Sequence, residues 1–77
     1  MIARELALIK VQATSATRSE IIQIVDIFQA NIVDVARESV TVMATGDEDK
    51  INSLLNLLHT FGIKETARTG RVAMARG

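Results

Sequence analysis

Thr45-Gly46-Asp47-Glu48-Asp49-Lys50-Ile51-Asn52-Ser53-Leu54-Leu55-Asn56-Leu57-Leu58-His59-Thr60-Phe61-Gly62-Ile63 is the stretch that decides how the chain folds. Gly46 breaks an alternating strand at Thr45. Asp47, Glu48 and Asp49 then put negative charge where a helix's first turn exposes unpaired N–H groups. Ile51, Leu54, Leu55 and Leu58 recur at i, i+3, i+4 and i+7, one apolar stripe on a helix. That face has to be buried. Gly62 is placed as a left-handed residue ending the helix, with Ile63 folding back on Leu58 in a Schellman stop.

Upstream, Leu6 to Ala13 reads as a strand with Ala7, Ile9, Val11 and Ala13 on one face and Leu6, Leu8, Lys10 and Gln12 on the other. Thr17 and Glu20 have the spacing of a capping box and are expected to open a helix. Its stripe is Ile21, Ile24, Val25 and Phe28, widened by Ile22 and Ile27, and it runs to about Gln29 or Ala30. From Asn31 to Ala36 the period drops to two, with Val33 and Val35 on one face and Ile32 and Asp34 on the other. After a short turn, Val40, Val42 and Ala44 alternate with Thr41, Met43 and Thr45, which predicts a hairpin.

Past the second helix, Lys64 to Thr69 has strand extent but a polar pattern, suited to a sheet edge. Val72 to Ala75 is either a further strand piece or a tail. The order strand, helix, strand, strand, helix, strand predicts an α+β, ferredoxin-like (ACT-like) βαββαβ two-layer sandwich, with an antiparallel sheet and both helices on one face. Residues 1–77 are expected to form a single domain of this kind.

At 77 residues such a domain has a small core and gains from burial against a partner. The chain has no cysteine, which leaves no disulfide or thiolate metal site to help. Aromatics are only 3% of the residues, so the core must be aliphatic. Lys+Arg and Asp+Glu are 9 each, and a net charge of zero gives no field to attract nucleic acid. No run is long enough for a membrane span and the N-terminus lacks a signal-peptide layout, so a cytoplasmic chain is expected.

With helices covering the sheet face that carries Ile9, Val11, Val33, Val35, Val40 and Val42, the open face is expected to hold Leu6, Leu8, Ile32 and Met43. Clustered there, these four make a candidate interface. The competing expectation is that the tail from Val72 to Ala75 folds over them. The polar edge strand offers a second route to a homo-oligomer, by pairing with its mate in another copy across a two-fold axis.

Candidate chemistry is sparse. Asp47, Glu48 and Asp49 lack the alternating ligand spacing of an oxygen-ligand metal loop and are better explained as a complement to the helix dipole. His59, the single histidine, has no second ligand type or nucleophile to work with and is assigned no role. The loop Thr14-Ser15-Ala16-Thr17-Arg18 offers groups for an anion but contains no glycine, and capping accounts for it better. Arg68-Thr69-Gly70-Arg71 is a possible basic turn for phosphate and a better solvated turn. Phe28 and Phe61 are assigned to helices, which argues against an RNA-stacking sheet. No nucleophile is paired with a base, so no catalytic, cofactor-binding or metal-binding residue is assigned.

Several stretches, taken in order, resemble the C-terminal domain of the acetolactate synthase (acetohydroxyacid synthase) small regulatory subunit. They are Arg4-Glu5-Leu6, Ile27-Phe28, Ile32-Val33-Asp34-Val35, Thr45-Gly46-Asp47-Glu48-Asp49-Lys50-Ile51, Phe61-Gly62-Ile63-Lys64-Glu65, and Ala67-Arg68-Thr69-Gly70.

The resemblance implies a noncatalytic regulatory domain that self-associates and helps couple a large catalytic subunit to feedback control, by valine or related amino acids, in branched-chain amino acid biosynthesis. It further implies that the catalytic partner uses thiamine diphosphate, magnesium and usually FAD, while this chain carries no cofactor. In that family an N-terminal ACT domain usually precedes this one. The chain starts at Met1 directly before the second domain, which is expected of an excised fragment or an unusual short form. Effector sites in the family lie between the N-terminal domains, so no effector-binding residue is carried over. Two other readings stay open: a stand-alone ACT-like small-molecule sensor and a plain oligomerisation module.

Overall fold

A computed structural model of the chain describes residues 2–69 and 72–74. The elements follow in the order β1 Ile2–Gln12, α1 Arg18–Ile27, β2 Asn31–Val35, β3 Ser39–Gly46, α2 Glu48–Leu58, β4 Ile63–Arg68 and β5 Val72–Met74, with a 3-10 turn at His59–Phe61. The main sheet runs β2-β3-β1-β4, and every neighbouring pair is antiparallel. Strands β1 and β2 are therefore parallel, held apart by β3 and bridged by α1. This is the expected ferredoxin-like plan.

The core follows the alternation in β1 and β3. Ala7, Ile9, Val11, Ala13, Val40, Val42 and Ala44 turn inward and meet Ile21 and Val25 of α1 and Ile51, Leu54 and Leu58 of α2, all buried. Each fully buried Ile, Leu or Val contributes about 1.5–3 kcal/mol. Ile24, Phe28, Leu55, Phe61 and Ile63 close the margins of this cluster.

Helix α2 starts as expected: Asp47 is its N-cap, and its carboxylate accepts the Lys50 N–H at 2.8 Å. Its end differs. The helix tightens into the 3-10 turn, and Gly62 sits at φ 99°, ψ 114°, too extended for a left-handed Schellman residue. Its N–H reaches the His59 carbonyl at 3.1 Å, and its own carbonyl accepts from Gln12 N–H at 2.7 Å. Gly62 thus turns the chain straight into pairing with β1.

The Schellman stop belongs instead to α1. The Ala30 N–H reaches back to the Val25 carbonyl at 2.9 Å, and the Gln29 N–H to Asp26 at 3.0 Å. Gln29 carries the positive φ, 55°.

The capping box also lies one turn earlier than expected. Thr17 has helical backbone angles and its hydroxyl makes no cap bond to the helix ahead. Instead the Thr14 hydroxyl accepts the Thr17 N–H at 3.2 Å, and the Thr17 hydroxyl accepts the Thr14 N–H at 2.9 Å. The reciprocal pair is Thr14 with Thr17, not Thr17 with Glu20.

Two apolar assignments are corrected. Ile22 and Ile27 do not widen the buried stripe of α1, and Ile27 is 76% exposed. At about 100° per residue it lies roughly 240° round the helix from Ile21, away from the sheet. In β2, the register slips between Ile32 and Asp34. Val33 is the extra residue of a bulge, and alternation does not carry across a bulge. Val33 is exposed; Val35 keeps the expected register opposite Val40 but lies on the edge strand and is exposed too, whereas Ile32 pairs with Val42 and packs against the core.

Candidate interaction surface

The side of the sheet away from the helices carries Leu6, Leu8 and Lys10 of β1, Thr41, Met43 and Thr45 of β3, and Glu65 and Ala67 of β4. Three of the four proposed interface residues stand here. Leu6 and Leu8 are 37% and 40% exposed, and Met43 is half-buried. Ile32 does not join them: the β2 bulge leaves it on the helix side. Ala67 takes its place.

The cross-strand register makes these residues neighbours. Leu8 lies between Met43 on β3 and Ala67 on β4, and Leu6 lies beside Thr45. Directly opposed positions in antiparallel strands hold their side chains within contact distance. A row Met43–Leu8–Ala67 therefore crosses three strands, with a shallow hollow of about 150 Å³ between Leu6, Leu8, Ala67, Arg68 and Thr69. Lys10 and Glu65, opposed one step along and 4.0 Å apart, frame the row with one charge of each sign. Strand β5 does not cover the row. It pairs in plane with the start of β1, Arg4 with Val72 and Ile2 with Met74, continuing along the sheet. Ala75 lies outside the described residues.

Sequence reasoning missed Ala67, because the polar pattern of β4 hid which of its residues face the open side. The signal was its even spacing from Glu65. It also missed Glu5, whose odd number puts it on the inward face with Ala7 and Ile9. Glu5 is buried and its carboxylate accepts a hydrogen bond from Arg68 Nε. That bond holds the Glu5 carboxyl below its ordinary range against the opposing effect of burial, with the Arg68 charge adding to it. The same hydrogen bond raises Arg68.

This pairing settles the basic turn around Arg68. Its guanidinium is committed to Glu5, and the Thr69 hydroxyl accepts the Leu6 N–H at 2.9 Å; Gly70 and Arg71 lie outside the described residues. In the first loop, both threonine hydroxyls serve the cap, and Arg18 Nη2 donates to the carbonyls of Ala36 and Arg37 at 3.3 and 3.0 Å. That cation ties α1 to the β2–β3 turn rather than facing an anion. Among the described residues, no three His, Cys, Asp or Glu side chains come together as a metal site. No helix among them is long and apolar enough to cross a membrane.

The open-face row of Leu6, Leu8, Met43 and Ala67 is the candidate interaction surface of the described residues. The acetolactate synthase small subunit of Mycobacterium bovis is 51% identical over 76 residues, covering 99% of this chain and 45% of that protein. The corresponding protein of Bacillus subtilis is 52% identical over 77 residues, covering 100% and 45%. The crystal structure of the acetolactate synthase small subunit from Thermotoga maritima superposes with a TM-score of 0.87 at 43% identity, covering 99% of this chain and 47% of that one. The chain thus spans less than half the length of these relatives. The family described as the small subunit of acetolactate synthase matches residues 4–77. From its first strand to its last residue, the chain belongs to the acetolactate synthase small subunit family.

Proposed function

We propose that this chain is a noncatalytic, self-associating domain of an acetolactate synthase regulatory subunit, and that it helps couple the catalytic subunit to feedback control of branched-chain amino acid biosynthesis. Family membership over residues 4–77 carries the reading. The open-face row of Leu6, Leu8, Met43 and Ala67 supports it, because a fold of this size gains stability by covering such a row. The catalytic partner supplies the chemistry, with thiamine diphosphate, magnesium and usually FAD as its cofactors, in the cytoplasm. Regulation then requires two states of the assembly that differ in contacts, so that an effector bound at one site changes the free energy of another.

Light-scattering mass on a sizing column tests this, for the chain alone and mixed with the catalytic subunit from the same source. A dimer or larger species alone, with a further shift on mixing, is expected. A self-associating chain that never joins the catalytic subunit supports a plain oligomerisation module instead. An amino acid that raises the melting temperature of the chain on its own supports the small-molecule sensor.

A further inference from the structure

The two free margins of the sheet are not equivalent. Strand β2 is broken by the bulge at Val33, which twists an edge away from pairing. Strand β4 is regular from Glu65 to Arg68 and, among the described residues, pairs only with β1. Its pairing continues in the bond from the Thr69 N–H to the Leu6 carbonyl at 3.0 Å. In an antiparallel ladder successive residues alternate direction, so Thr66 and Arg68 aim their N–H and C=O groups at the outer margin.

A second copy meeting this margin through a two-fold axis normal to the sheet keeps both open faces on the same side. Opposed positions must then share a face, and the axis falls on a residue. Centred on Glu65, it sets two carboxylates against each other. Centred on Thr66, it draws Lys64, the bulged residue at the start of β4, towards the partner's Arg68. Like charges directly opposed are destabilising. Centred on Ala67, it opposes Thr66 to the partner's Arg68 and Glu65 to the partner's Thr69, with no like-charge pair among these.

From this we infer that two copies of the chain join edge to edge through β4, with Ala67 on the two-fold axis. The inference rests on the self-association proposed above and fixes its register. Its consequence is a surface that neither copy has alone: the row Met43–Leu8–Ala67 continues across the axis into its mirror sequence on the partner. The short apolar row of one chain becomes a stripe across the joined sheet, flanked on both sides by Lys10 and Glu65.

The chain has no cysteine, so single cysteines report the register directly. On the axis, Ala67 forms a non-hydrogen-bonded pair with its mate, with Cα atoms about 4.5 Å apart, within the range a disulfide spans. Under mild oxidation, Ala67→Cys is expected to give a covalent dimer, and Lys64→Cys, six steps from its mate in this register, is expected to give almost none. Thr66→Pro, which removes an outward N–H, is expected to shift the mass from dimer to monomer; circular dichroism confirms that the variant is folded. An unmodified chain that is dimeric by light scattering but crosslinks best through Lys64→Cys or Thr66→Cys overturns the register and leaves self-association standing. A monomeric unmodified chain overturns both.

Discussion

Glu5 and Arg68, 63 residues apart in the chain, meet as a hydrogen-bonded ion pair at the inner margin where β1 lies beside β4. The Glu5 side chain is 4% exposed and Arg68 covers it from the edge strand. Because the pair lowers the Glu5 carboxyl in the folded state, its contribution to stability is present above the ordinary value of 4.5 and is lost as pH falls through and below it. The Arg68 guanidinium, raised further by the same bond, stays charged throughout the acid and neutral range and adds no dependence there. Glu5→Gln is therefore expected to lower the melting temperature at neutral pH, with the gap to the parent narrowing as the solution is acidified below about 4.5. Thermal melts of both proteins across that range check this. A gap of constant size in acid would show that Glu5 acts by packing and not by charge.

The start of α1 separates two capping schemes. With Thr14 and Thr17 serving each other's backbone, Thr14→Ala removes the hydroxyl that accepts the N–H of the N-cap residue Thr17, leaving that N–H the Thr14 carbonyl alone. The expected loss is about 0.5–2 kcal/mol. Glu20→Ala touches no cap bond and is expected to change stability by about 0.5 kcal/mol or less. Urea denaturation of the two variants decides between them; the reverse order would restore the Thr17–Glu20 box.

What the sequence made legible was whatever depended on uninterrupted period. The inward set Ala7, Ile9, Val11 and Ala13 and its partner set Val40, Val42 and Ala44 were readable because nothing disturbs the pleat of β1 against β3. The same rule failed at Ile32, since a one-residue bulge leaves no trace in the pattern it shifts. Helix ends were misread for a different reason. Glycine is the usual sign of a left-handed stop, but here Gln29 takes that conformation because Ala30 and Phe28 are held on the core, and Gly62 is needed for a sharper turn. Of the candidate interface, Leu6, Leu8 and Met43 followed from parity alone. Ala67 required knowing which residue of β4 faces Leu8, a register that no single strand encodes.

Gln29 supplies a prediction from that conformation. A left-handed non-glycine residue carries a strain of about 1–2 kcal/mol, and glycine removes it at an entropic cost of roughly 0.5–1 kcal/mol. Gln29→Gly is therefore expected to stabilise the chain by up to about 1.5 kcal/mol, the difference of those ranges. A rise in the denaturation midpoint with an unchanged slope is the expected readout. A fall would mean that the Gln29 side chain makes contacts outweighing its strain.

The leucines of α2 test the packing of the helix on the sheet, because four of them sit on successive bearings around one axis. Leu54 and Leu58 are fully buried, Leu55 packs at the margin of the core, and Leu57 is 46% exposed. The stripe in the sequence weights Leu55 equally with its neighbours, and the structure does not. Leu54→Ala is expected to cost about 2–5 kcal/mol, the range for a leucine whose loss leaves a cavity. Leu55→Ala leaves a site open to solvent on one side and is expected to cost roughly half as much. Leu57→Ala is expected to cost about 0.5 kcal/mol or less. Chemical denaturation of the three variants measures the order. If Leu55 proved as costly as Leu54 in the assembled protein but not in dilute monomer, the margin of α2 would itself be covered by a neighbouring chain.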